Sequence, residues 1–268
     1  MADTAGPLFD IGANLLDSQL IKNFDSIISK SKENNIRKIV ITSSHINDTY
    51  EATKLIDQHP DTLYTTVGFH PHNAKDFCES HLEKMMELCK CEYVKAIGEC
   101  GLDYKRNFSS KDEQIHCFVK HLELATLIDL PMFLHERDAY NDFVILLKDH
   151  IHLIEDVVVH CFTGNKKSLK SYLDLGCYIG ITGWITDPNR GYHLHDLIKY
   201  IPSDKLMIET DSPYLMPFNY PISNKKYNEP CNLIYVLDAI ASILKKDKNI
   251  IAKEIYNNSC RFFNINNE

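Results

Sequence analysis

Short continuous runs of β-branched and aliphatic residues recur along this chain, each parted from the next by a segment long enough for a helix. The runs are Leu8 to Ile11, Lys38 to Thr42, Leu63 to Val67, Val94 to Gly98, Met132 to Leu134, Val157 to Val159, Tyr178 to Ile181 and Leu206 to Ile208. Runs that are apolar throughout, rather than alternating, mark strands buried on both faces, and helical crossovers between them make the strands parallel. One such helix is explicit in Ile115, Phe118, Val119, Leu122 and Ala125, whose spacing lays a single apolar stripe along one side. Ile21 to Ile28 and Leu169 to Leu173 read the same way. Eight such units predict an α/β fold, the (β/α)8 TIM barrel, and 268 residues is a usual size for one. The chain is therefore read as a single domain over 1–268. A doubly wound sheet would favour a glycine-rich phosphate turn after the first strand, but the sequence there is Asp10-Ile11-Gly12-Ala13-Asn14. Pro217 to Pro230 reads as a long loop, with closing helices near Asn232 to Leu244 and Ile250 to Asn257.

In a barrel the C-terminal strand ends converge on one face, and that is where ligand-type residues stand in this sequence. His70 and His72 follow the third run, Glu99 the fourth, His135 the fifth, His160 the sixth and Asp211 the eighth. Two imidazoles and two carboxylates, from Glu99, His135, His160 and Asp211, make a plausible mononuclear set for a divalent cation. The glycines of Gly-Glu-Cys-Gly around Glu99 leave the backbone open beside it, and Asp211 before Ser212-Pro213 also reads as a turn initiator. His45, His59, His81, His116, His121, His150, His152, His193 and His195 are read as surface or capping groups.

A net charge of -8 argues against a broad basic face that coats nucleic acid, although a cation and a few placed Lys or Arg side chains would still allow local binding. The 9 cysteines form no CxxC pair and are read as reduced thiols. The N-terminus lacks a basic start and an apolar core segment, and no run approaches the roughly 20 apolar residues of a membrane span. A cytoplasmic monomer without a membrane partner is expected, with passive entry to a nucleus open to it.

These residues carry a resemblance to the TatD DNase family, a branch of the metal-dependent amidohydrolases, from Phe9 to about Phe263. Its motifs here are Phe-Asp-Ile-Gly-Ala-Asn-Leu (9 to 15), Val-Gly-Phe-His-Pro-His (67 to 72), Ala-Ile-Gly-Glu-Cys-Gly-Leu-Asp-Tyr (96 to 104) and His-Cys-Phe-Thr-Gly (160 to 164). Tyr-Ile-Gly-Ile-Thr-Gly-Trp (178 to 184), Ile-Glu-Thr-Asp-Ser-Pro-Tyr-Leu (208 to 215) and Asn-Glu-Pro (228 to 230) complete them. The resemblance implies that Glu99, His135, His160 and Asp211 are metal ligands, that Asp211 takes the proton of the attacking water, and that His70 and His72 face the substrate phosphate. Many relatives have two histidines after strand one for a second metal; Gly12 and Asn14 stand there in this sequence, as in the branch of the namesake bacterial exonuclease.

The expected activity is therefore 3′-5′ hydrolysis of single-stranded DNA, with RNA as the alternative substrate, in DNA repair or degradation. Magnesium heads the expected cations, followed by Mn and Zn. Glu99, Asp211 and His72 are assigned to catalysis, and Arg137, Lys105 and Arg106, with Lys166, Lys225 and Lys226 further out, to phosphate binding. Trp184 and Tyr214 are candidates for stacking on a base. Hydrolysis of a small-molecule C–N or ester bond and a non-catalytic scaffold are the competing readings; Glu99 occupies the strand-four end where a bridging lysine would favour the former.

Overall fold

A computed structural model describes residues 6–221 and 226–266, so Lys225 lies outside the described residues. Eight strands pair in chain order in one sheet, with helices between them: β1 (Leu8–Ala13), β2 (Ile36–Ile41), β3 (Leu63–Val67), β4 (Val94–Asp103), β5 (Met132–Arg137), β6 (Val157–Val159), β7 (Tyr178–Ile181) and β8 (Leu206–Ile208). This is the (β/α)8 arrangement. Strands β3, β6, β7 and β8 have the limits read from the sequence, whereas β1, β4 and β5 run further toward their C-terminal ends. The first full helix, α1, is Phe24–Glu33, set later than Ile21 to Ile28 because Ile21–Asn23 forms a 3-10 turn.

By Cα proximity the chain divides into two compact units. One holds the chain through Ile41, Cys161–Asn165 and everything from Ile179 onward. In it β1 pairs with β2, β7 pairs with β8, and Ala13 bridges to Ser212 just past β8. Two helices end the chain, α8 (Leu233–Leu244) and α9 (Lys248–Phe262), and Tyr256 of α9 with Phe263 just past it packs on Phe9.

The other unit, Thr42–His160 with Lys166–Tyr178, contains β3 to β6 in mutual parallel pairing. Here α4 (Lys111–Ala125) opens on a capping box between Ser110 and Glu113, which satisfies amide donors at the helix start. Its buried side presents Phe118 and Leu122, and Phe118 stacks on Phe143 of α5 (Tyr140–His150) at 5.3 Å between ring centroids. Burying each such side chain contributes about 1.5–3 kcal/mol. Gln114 and His121 lie buried on the same helix, where a purely apolar stripe was expected.

Candidate metal centre

The register of β4 against β5 explains how one carboxylate comes to face several imidazoles. Gly98 is level with Phe133 and Cys100 with Leu134, so Glu99 is one extra residue in β4, a bulge. A bulge turns a side chain out of the regular alternation and sharpens the local twist. Glycines flank it for a steric reason. Gly98 and Gly101 have φ of 145° and 140°, and a Cβ on either would overlap the carbonyl oxygen of Phe133 or of His135. The bulge is further tied by a hydrogen bond from the Glu99 amide to the Ser43 carbonyl at 3.0 Å.

Three imidazoles converge on Oε1 of Glu99. His160 Nε2 lies at 2.8 Å, His135 Nδ1 at 2.9 Å and His70 Nε2 at 3.3 Å, while His135 Nδ1 and His160 Nε2 are 3.3 Å apart. His70, Glu99 and His135 each offer a ligand atom within 4.8 Å of one another. Backbone contacts fix the rings. The His70 amide donates to the Ser44 carbonyl and the His160 amide to the Leu134 carbonyl. His70 Nδ1 accepts from the His72 amide at 3.0 Å, so its proton resides on Nε2 and points at Glu99.

Electrostatics follow from this crowding. Burial alone would raise the Glu99 carboxyl, but the charges of His160 and His70 and hydrogen bonds from His135 and His160 hold it well below the carboxylate range. Burial lowers His70 to about 4 against the pull of Glu99. His135 moves upward, because Asp103 and Glu99 outweigh its burial. A carboxylate facing nitrogen donors in a mostly buried niche is a set a divalent cation fits, replacing the imidazole protons as the positive partner.

Asp103, which sequence reasoning passed over, organises the edge of this cluster. Its Oδ2 accepts from His72 Nε2 at 2.8 Å and pairs with the buried His135 Nε2 at 3.5 Å. Its Oδ1 accepts the amides of Lys105 and Arg106, both at 2.9 Å. Burial opposes but does not prevent a strong downward shift of this carboxyl, caused by His135, His72 and the Arg106 amide. Gln114 clasps the Asp103 backbone from α4, accepting from its amide at 2.8 Å and donating to its carbonyl at 3.1 Å. His121 does comparable work below His70. Its Nε2 accepts the Phe69 amide at 3.0 Å, its Nδ1 donates to the Cys117 carbonyl at 2.7 Å, and burial keeps it neutral, lowered to about 4. Both were discoverable as polar residues on the buried side of a helix.

Among the expected phosphate-binding groups, Lys105 and Arg106 are exposed on the loop after β4, and Lys105 Nζ approaches Asp138 at 3.6 Å. Arg137 is partly exposed at the end of β5, level with Asp103. Asp211 belongs to the other unit, where its Oδ1 accepts from Asn14 Nδ2 at 3.0 Å and its amide donates to the Gly12 carbonyl. Trp184 lies in a 3-10 turn with the Arg190 guanidinium 4.2 Å over its ring. Among the described residues, no helix is long and apolar enough to cross a membrane.

Known proteins resemble this chain over nearly all of its length. The family model described as TatD related DNase matches residues 9–264. A protein of Erwinia tasmaniensis named 3′-5′ ssDNA/RNA exonuclease TatD is 38% identical over 259 residues, 96% of this chain and 100% of the relative. A namesake from Pectobacterium carotovorum is 37% identical with the same coverage. The crystal structure of a TatD family hydrolase from Entamoeba histolytica superposes with a TM-score of 0.87 at 29% identity, over 97% of this chain and 99% of the other. By class, then, this is a (β/α)8 hydrolase acting on ester bonds. Within that class the chain belongs to the TatD related DNase family.

Proposed function

We propose that this chain removes nucleotides from the 3′ ends of single-stranded DNA and RNA, the activity in the names of its relatives. The observation that carries the reading is the convergence of His70, His135 and His160 on one oxygen of Glu99, in a chain of this family. Glu99, His135 and His160 would hold a divalent cation, with His70 close enough to join them. Such an ion, when bound, lowers the pKa of a coordinated water and polarises a phosphoryl oxygen. Magnesium stays the first proposed ion, with Mn and Zn beside it: the carboxylate suits Mg and Mn, and the imidazoles suit Zn.

His72 Nε2 meets Asp103 Oδ2 at 2.8 Å, which leaves Nδ1 for the substrate: with both ring nitrogens protonated, Nδ1–H would orient a phosphate oxygen or pass its proton to the leaving alkoxide. Arg137, with its planar fork, is the proposed partner of a second phosphate oxygen, and Lys105 and Arg106 steer the chain of nucleotides. Asp211 keeps the role assigned from the sequence, acceptor of the water's proton. A single hydrolase domain over 1–268, acting as a cytoplasmic monomer in DNA repair or degradation, completes the proposal.

The test incubates metal-free protein with 5′-labelled single-stranded DNA or RNA, adding Mg, Mn or Zn in turn, beside small esters and cyclic amides. A ladder shortening from the 3′ end is expected, lost in Asp211→Ala. Cleavage of the small molecules alone, or of nothing under any cation, overturns the reading.

A further inference from the structure

An aromatic ring that the sequence did not single out stands at the edge of this cluster. Phe108, on the loop between β4 and α4, is 56% exposed, and its ring meets the imidazole of His72 edge-on at 4.8 Å. Single exposed apolar residues need no explanation. This one is held from both sides. Before it, Asp103 Oδ1 binds the amides of Lys105 and Arg106, and Asn107 Nδ2 donates to the Tyr104 carbonyl at 2.9 Å. After it, buried Ser109 donates to the His72 carbonyl at 3.0 Å and accepts the Lys75 amide at 3.1 Å, and Ser110 caps α4. The same carboxylate thus fixes His72 and the loop that presents the ring.

We propose that Phe108 is a stacking platform for a nucleobase of the single-stranded substrate, with Lys105 and Arg106 beside it on the phosphates. The inference rests on the nuclease reading above. A flat, water-exposed ring next to two cations and an imidazole matches the chemistry of a nucleotide, whose planar base carries a charged phosphate on a short tether. Every base has a π-face, so such a platform accepts any sequence. Holding the ring in advance spares the ordering cost that a mobile side chain would incur on binding. Trp184, by contrast, already has a guanidinium over its ring.

The experiment compares wild type, Phe108→Ala and Phe108→Tyr on oligonucleotides carrying either a full set of bases or one abasic nucleotide near the 3′ end, measuring KM and kcat separately. Phe108→Ala should raise KM about tenfold, a typical loss for one base–aromatic stack, with kcat little changed, and Phe108→Tyr should recover most of it. At one position the abasic substitution should cost wild type the same factor and cost Phe108→Ala nothing more. An unchanged KM in Phe108→Ala, or equal abasic penalties in both proteins at every position, overturns the platform while leaving the nuclease intact. Failure of wild type to cleave either nucleic acid overturns both.

Discussion

Glu99 and Asp10 are both buried strand carboxylates, 6% and 0% exposed, yet their surroundings drive them to opposite charge states. Around Glu99, three imidazoles supply positive charge or hydrogen bonds, and the group stays ionised against its burial. Around Asp10, burial prevails. The Thr210 hydroxyl and amide and the Gly12 amide are its donors, nearby Glu209 adds repulsion, and the carboxyl is pushed up to about 8. Donors that carry no charge ease a buried carboxylate without neutralising it. The same contrast extends to Asp211, whose Oδ1 accepts from the uncharged Asn14 amide. One unit is therefore set up to take a cation, and the Asp10 pocket of the other to keep a proton.

The sharpest way to break this contrast is Glu99→Gln, which keeps the shape and removes the charge on which the imidazoles converge. Activity on single-stranded DNA should fall at least about 1,000-fold, and equilibrium dialysis should show the cation lost. Retained binding of the cation would mean that the imidazoles alone define the site. A smaller effect is expected at Asp103→Asn, which weakens the hold on His72 and on the loop without touching Glu99. A fall of about 10- to 100-fold in kcat/KM, at near-normal cation affinity, is the outcome that separates positioning from ligation.

The gentlest test is on the other side, by Asp10→Asn. A carboxyl held at about 8 keeps its proton where the unfolded chain, near 3.8, has lost it. Its contribution to stability is full below about 4 and is lost as pH rises through about 8, at up to about 1.4 kcal/mol per pH unit. Urea unfolding of wild type should therefore weaken with rising pH across that window relative to Asp10→Asn. Parallel curves for the two proteins would show that Asp10 is ionised after all, and the contrast with Glu99 would vanish.

How far the sequence could be read depended on whether a residue's neighbours were local. His160 was visible because a continuous apolar run marks β6 and the polar residue marks its end; His135 was found by the same cue, although β5 runs on past it to Arg137. The bulge at Glu99 was not: the run of Val94 to Gly98 stops at the glycine, whereas β4 continues to Asp103 through an extra residue that only the pairing with β5 reveals. Gln114 and His121 left a readable trace, polar side chains in phase with Phe118 and Leu122. Phe108 left none, since its value depends on a loop shape dictated by Asp103.

The two glycines beside the bulge imply an uneven tolerance to change. Where a methyl group would collide with the backbone of β5, no side chain is admissible, so a saturation library should return glycine alone at Gly98 and Gly101. A few residues later, Lys105, Arg106, Asn107 and Phe108 all point to solvent, on backbone held by Asp103 and Ser109. If the nucleic acid lies over that short stretch as proposed, exchanging it should alter the grip on substrate, while the backbone beneath, fixed by Gly98 and Gly101, keeps the chemistry constant.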